Sequence, residues 1–222
     1  MEIFFNAPSY PLDSVGLEKF HRDYVEPLGR GRRSIKISAN EIVIESNRPG
    51  MLNLGADLLT VSMSKSIEKW QLEPVEELNP PGGWYGDLEP DSPALLLERI
   101  GLPWHSSNGF HYQVPPFRDD YKPPVEAGSI IEVTIGHHER HVEAVVDHYE
   151  NDVGAVVRGN AFALVSLAKH ALYLSQAPEG TKVVFGRSEG IKGERDRLVV
   201  ERRRFAEDVP WAKVPSPKMA KS

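Results

Sequence analysis

Cysteine is absent from the 222 residues. No disulfide framework can form, and no thiolate is available as nucleophile or metal ligand. Long hydrophobic runs are missing too: none approaches the ~20 residues that cross a bilayer. The opening Met1-Glu2-Ile3-Phe4-Phe5-Asn6-Ala7-Pro8 has neither the basic lead nor the apolar stretch of a secretory signal. Net positive charge is also lacking. The formal charge is −6, which argues against nucleic acid as a partner, because phosphate contacts need clustered Lys and Arg. These absences lead to the expectation of a cytoplasmic protein without membrane contact.

Reactive motifs are scarce as well. There is no G-x-x-x-x-G-K-[ST] phosphate cradle. Gly186-Arg187-Ser188-Glu189-Gly190 has the letters of a nucleophile elbow, but its flanks are polar and it sits in a hairpin loop. Glu76-Glu77, Asp119-Asp120 and the trio Asp87, Glu89 and Asp91 are neighbouring loop acids, with no sign that two carboxyls face across a cleft. His137-His138-Glu139-Arg140-His141 with His148 is the one histidine cluster. It lies between two predicted strands and lacks the helical H-E-x-x-H spacing that puts two ligands one turn apart. No cofactor or metal is therefore expected.

What the chain does contain is a repeat. Residues 42–62, moved by 113 positions, fall on 155–175 without a gap. Ile42-Val43-Ile44 and Val156-Val157 are β-rich runs. Ser46-Asn47 and Gly159-Asn160 follow, and Asn is a favoured helix N-cap. Then come helices whose apolar residues recur at spacings of three and four. They are Met51, Leu54, Gly55, Leu58, Leu59 and Ser62 in the first copy, and Leu164, Leu167, Ala168, Ala171, Leu172 and Ser175 in the second. Gly55 opposite Ala168 predicts a close helix-to-sheet contact.

Hairpins are predicted before each helix, over 34–38 with 41–45 and over 140–149 with 152–158. Two strands are predicted after each: 111–114 and 129–135 in the first copy, 181–185 and 197–201 in the second. The fold class is α+β, two similar strand-strand-helix-strand-strand units with mainly antiparallel sheets. The first unit spans 1–136 with a helix near 14–25, the second spans 137–213, and 214–222 reads as a flexible tail rich in Pro and Lys.

The copies differ in their middles. Residues 64–110 of the first form an insert rich in Pro and acids, with a predicted helix over Ala94–Ile100 and with Trp70, Trp84 and Trp104. Residues 64–126 hold eleven Asp or Glu against five Lys or Arg, whereas 187–222 hold ten Lys or Arg against six acids. Aromatics beside acids in a long insert make Trp70, Trp84, Tyr85, Asp87, Glu89 and Trp104 the candidate partner-binding residues, since Trp and Tyr dominate interface hot spots.

Gly159-Asn160 followed by Leu164, Leu167-Ala168, Leu172 and Leu174 resembles the bacterial polymorphic-toxin immunity family numbered thirty-two. Ser46-Asn47, Met51, Leu54-Gly55 and Leu58-Leu59 carry the same pattern in the first copy. The resemblance covers about half of the chain. The family's histidine-bearing strand after the helix has a counterpart in His111, while Thr181-Lys182-Val183 departs from it. The resemblance implies a non-catalytic, cytoplasmic immunity protein that binds and neutralises a cognate toxin, and an acidic surface suits a basic toxin domain. Two other readings stay open: a metal-dependent enzyme with His111, His137 and His141 between the units, and a structural subunit of a phage or secretion assembly.

Overall fold

Two asparagines 113 positions apart do the same work in the two halves of the chain. In the computed structural model, which describes residues 3–6, 31–74, 88–104, 111–137 and 153–205, β3 (Glu41–Ser46) runs through Asn47 into α1 (Arg48–Met63). Likewise β8 (Val153–Asn160) runs into α2 (Ala161–Leu174). The Asn47 side chain accepts the Gly50 N–H at 2.9 Å and the Arg32 N–H at 2.9 Å. The Asn160 side chain accepts the Ala163 N–H at 3.0 Å and the Ile130 N–H at 3.3 Å. Each thus caps its own helix and also clasps the residue that opens a neighbouring strand. Such a cap is worth ~1 kcal/mol.

Those neighbouring strands are β2 (Arg33–Ile37) and β7 (Ile131–His137), antiparallel to β3 and β8. After α1 come β4 (Lys69–Leu72) and β5 (Leu95–Ile100). After α2 come β9 (Lys182–Phe185), the short β10 (Ile191–Lys192) and β11 (Arg197–Arg202). The sheet orders are β2-β3-β11-β9 and β10-β7-β8-β5-β4. Each sheet therefore joins the hairpin of one half to the closing strands of the other. β3 runs parallel to β11, and β8 runs parallel to β5.

The registers coincide. Ile42 faces Leu198 where Ala155 faces Leu95, and Lys182 faces Glu201 where Lys69 faces Glu98. Even the isolated bridge of Arg33 to Leu88 has its counterpart in Ile131 paired with Ile191. The two halves repeat one arrangement and exchange strands.

This exchange corrects the strand assignments drawn from sequence. Ala94–Ile100 is not helical: Leu95, Leu97 and Arg99 are buried while Leu96 and Glu98 are half-buried and Ile100 is exposed, a period of two. A short apolar run does not distinguish a central strand from a buried helix turn. The closing strands of the first half are β4 and β5, inside the supposed insert. β6 (His111–Val114) pairs instead with β1 (Ile3–Asn6), and β7 is the hairpin partner of β8. The hairpin arm expected over 140–149, the helix over 14–25 and the 214–222 tail lie outside the described residues.

The helices pack on each other and touch strands of both sheets. Fifteen of sixteen residues of α1 and twelve of fourteen of α2 are buried, so neither presents a wet face of any width. A Cβ built on Gly55 would stand 2.8 Å from both Cδ2 and Cγ of Leu172. The close approach is therefore helix to helix, not helix to sheet.

Charge enters this interior in matched form. Arg33 and Asp57 meet at 2.6 Å with side chains 1% and 5% exposed. Arg99 donates to the carbonyls of Val61 at 2.7 Å and Ser64 at 2.6 Å, supplying partners for the C-terminal end of α1 that the helix itself lacks. No helix among the described residues is long and apolar enough to cross a membrane.

Candidate functional site

Where α2 begins, the strands around Asn160 carry apolar side chains into solvent. Ile100, the last residue of β5, is in register with Asn160. Ile130 is clasped by the Asn160 side chain and also accepts the Asn160 N–H at 3.2 Å. Phe162 is the second residue of α2. Trp104 donates its N–H to the Ser62 carbonyl at 2.9 Å, at the end of α1, and sets its ring edge-on to Phe162 with centroids 4.9 Å apart. Between Ile100 and Trp104 lies Leu102, 82% exposed, with Phe162 at 47% and Ile100 and Ile130 at 39%. An exposed Leu alone means nothing. Five large apolar residues around one helix end form a patch of the kind that marks contact surfaces.

The equivalent place at the start of α1 is built differently. Arg32 stands where Ile130 does, Arg203 where Ile100 does, Phe205 where Leu102 does and Pro49 where Phe162 does. Arg32 is held by Glu89 through two bonds, at 2.7 and 2.6 Å, and its guanidinium lies 4.8 Å from the Phe205 ring centroid. Burial, with Arg202 nearby, brings Arg48 at this end down to about 10. One end is sealed by charge pairing; the other is open and apolar.

The residues singled out from sequence are not gathered in one place. Trp104 belongs to the patch and is half-buried. Trp70 sits on β4 with its ring against the core, beside an open groove of about 480 Å³ lined by Lys65, Ser66, Ile67, Glu68 and Lys69. Glu89 is at the opposite end of α1 from Trp104, which for sixteen residues is ~24 Å away. Trp84, Tyr85 and Asp87 lie outside the described residues. Ile100, Leu102, Ile130 and Phe162 escaped sequence reasoning. Their signal was an extension of the repeat: Leu95-Leu96-Leu97-Glu98-Arg99 matches Leu198-Val199-Val200-Glu201-Arg202, which sets Ile100 and Leu102 against Arg203 and Phe205.

Among the described residues no three His, Asp or Glu side chains converge as a metal site. His138, His141 and His148, and the side chains of His111 and His137, are outside them. His170 is described and lies in the core. Burial depresses its pKa, only partly opposed by contacts with the Ser166 and Pro123 carbonyls. Nδ1 therefore donates to the Ser166 oxygen at 2.7 Å, and the ring stands edge-on to Phe185. Buried on the inner face of α2 and bonded through Nδ1, this imidazole packs the core.

No family model matches this chain, and neither the curated proteins nor the solved structures include one significantly similar to it.

Proposed function

We propose that this chain is a non-catalytic protein-binding module that uses the apolar patch at the start of α2 to hold its partner. The observation that carries this reading is the contrast between the two helix starts. One backbone arrangement occurs twice, and only one occurrence leaves Ile100, Leu102, Ile130 and Phe162 facing solvent beside a half-buried Trp104. Such exposure adds nothing to the stability of the isolated chain. It becomes favourable when a partner covers it, at roughly 25 cal/mol per Å² of apolar surface removed from water. Trp104, braced by Phe162 and tied to Ser62, is a rigid aromatic anchor, the type of residue on which interface energy concentrates.

The partner we propose is a bacterial toxin domain, held in the cytoplasm by its immunity protein. Support comes from the Gly159-Asn160 and leucine pattern in the sequence, and from the acid-rich stretch over 64–126, which favours a basic partner.

The test uses the full chain, tagged and recovered from its native host. Wild type should retain one small protein at equal stoichiometry, toxic when expressed alone and neutralised by co-expression. Leu102→Asp should leave the melting temperature unchanged, since Leu102 is almost wholly in solvent. It should nevertheless weaken the complex by ~2 kcal/mol, about thirtyfold in Kd, as for a hot-spot residue. A complex that forms equally well with Leu102→Asp and Trp104→Ala would overturn the reading.

A further inference from the structure

The outer face of the five-stranded sheet carries its side chains in level rows across β7, β8, β5 and β4. One row is Glu132, Arg158, Glu98 and Lys69; the next is Thr134, Val156, Leu96 and Gln71. Val133, Val157 and Leu97, between the rows, turn to the other face and are fully buried. In the first row the sign of charge alternates across all four strands. Lys69 lies 3.1 Å from Glu98, Arg158 lies 2.7 Å from Glu98, and Arg158 lies 3.6 Å from Glu132. Lys69, Arg158 and Glu132 also reach solvent. In the second row two apolar residues stand between two polar ones.

Each row matches its own reverse. A two-fold axis running along the strands, between β8 and β5, lays every row on that reverse. Lys69 then faces the second copy's Glu132, and Glu98 faces its Arg158, so every charge of the row meets the opposite sign. Val156 faces Leu96, and Thr134 faces Gln71. The other sheet fails the same operation. Its corresponding rows are Ser34, Glu45, Glu201 and Lys182, then Lys36, Val43, Val199 and Val184. Reversed on themselves, they set Glu45 against Glu201 and Lys36 against Val184.

From this geometry we infer that the outer face of β7-β8-β5-β4 is a homodimer interface, on which a second copy of this chain docks face to face about that axis. Facing sheets stack ~10 Å apart with their strands within about 30° of each other, so side chains of opposed rows meet. The same surface serves both copies, and the assembly therefore closes at two. Charge complementarity of this kind selects the partner and its register. Four strands ~4.8 Å apart and about seven residues long give a footprint of roughly 400 Å² on each copy. That is the small end of specific interfaces, and the dimer exchanges with monomer. The interface borders Ile100 and Ile130 and leaves Trp104 and Phe162, beyond the strand ends, to another protein. It stands whether or not the patch binds one.

The test is sedimentation of the full chain over a range of concentrations, where wild type should pass from monomer to dimer. The decisive variant inverts the row: Lys69→Glu, Glu98→Lys, Arg158→Glu and Glu132→Lys together. Every pair within the chain is kept, and so is the match of the row to its reverse. The inverted chain should dimerise with itself but not with tagged wild type, because mixing sets like charges face to face. Should it fold poorly, Leu96→Lys reads the same interface. It places a lysine over Val156, twice per dimer, and should weaken self-association by about tenfold or more. Wild type that stays monomeric at its highest soluble concentration would overturn the inference. So would free mixing of wild-type and inverted chains, or dimers lost with Leu102→Asp but kept with Leu96→Lys, which would move the contact to the patch.

Discussion

At the start of α1 a polar clasp is finished with charge; at the start of α2 the same clasp is finished with hydrocarbon. The backbone does not require the difference. Asn47 and Asn160 make matching bonds, β5 and β11 enter in matching register, and Arg99 and Arg202 stand at matching, buried positions. What the two halves share is the set of contacts that closes the fold. What they do not share surrounds that set. Arg32 with Glu89 hides one helix end, and Trp104 with Leu102 and Phe162 advertises the other. An arrangement that occurs twice thus acts as its own control: positions alike in both halves belong to folding, and positions unlike belong to folding or to something else, which substitution can decide.

The harshest way to break the comparison is at Asp57. Its counterpart is His170, and that of its partner Arg33 is Ile131. Asp57→Ala leaves the Arg33 guanidinium buried without its carboxylate and should cost ~3–5 kcal/mol. That is a large share of the ~5–15 kcal/mol that keeps a domain folded. Arg33→Ile combined with Asp57→His copies the other half and should recover most of the loss in chemical denaturation. If the double variant is no more stable than the single one, the halves are not interchangeable here, and the local packing around α1 has diverged beyond the two side chains.

How far the sequence could be read divides along the same line. The α+β class, the two Asn caps and the positions of α1 and α2 were legible, because each depends on neighbours within about twenty residues. The strand exchange was not. A parallel pairing such as β3 with β11 joins residues more than 150 positions apart, and nothing in Ile42-Val43-Ile44 names its partner. The apolar run Leu95-Leu96-Leu97 sits between β4 and β8 with one side facing the core, so its alternation is blurred and it passes for a helix turn. Of the site, Trp104 was legible as a large aromatic in an acidic stretch. Phe162 meets it, and Ile100 comes beside Asn160, only because β5 pairs with β8, information that belongs to the fold.

A gentler test concerns the helix pair. Gly55 and Ala168 hold the same position in the two copies, and both are small because the partner helix is close. Gly55→Leu drives a side chain into Leu172, which has no exposed surface into which to move. Overpacking of this kind costs ~1–3 kcal/mol, read as a lower melting temperature. An unchanged melting temperature would mean that the helices can slide apart, and that the patch at the start of α2 is less rigidly mounted than its contacts with Ser62 imply.

The smallest effect is spread over pH and sharpens the contrast between Asp57 and His170. Burial lowers the His170 pKa from its ordinary 6.5, the Ser166 and Pro123 carbonyls oppose this in part, and the charges of Lys122 and Lys169 lower it further. The unfolded chain therefore takes up the proton first as pH falls. Stability is unaffected by this group well above 6.5, declines once pH drops below about 6.5, and levels off below the folded-state value. Carboxylate titration enters only at lower pH. Denaturation curves between pH 8 and 5 should show the decline in wild type. His170→Gln keeps a donor for the Ser166 carbonyl and carries no titrating proton, so it should flatten that decline whatever it does to stability at pH 8. A slope that survives the substitution would assign the pH response to another histidine and leave His170 as inert packing.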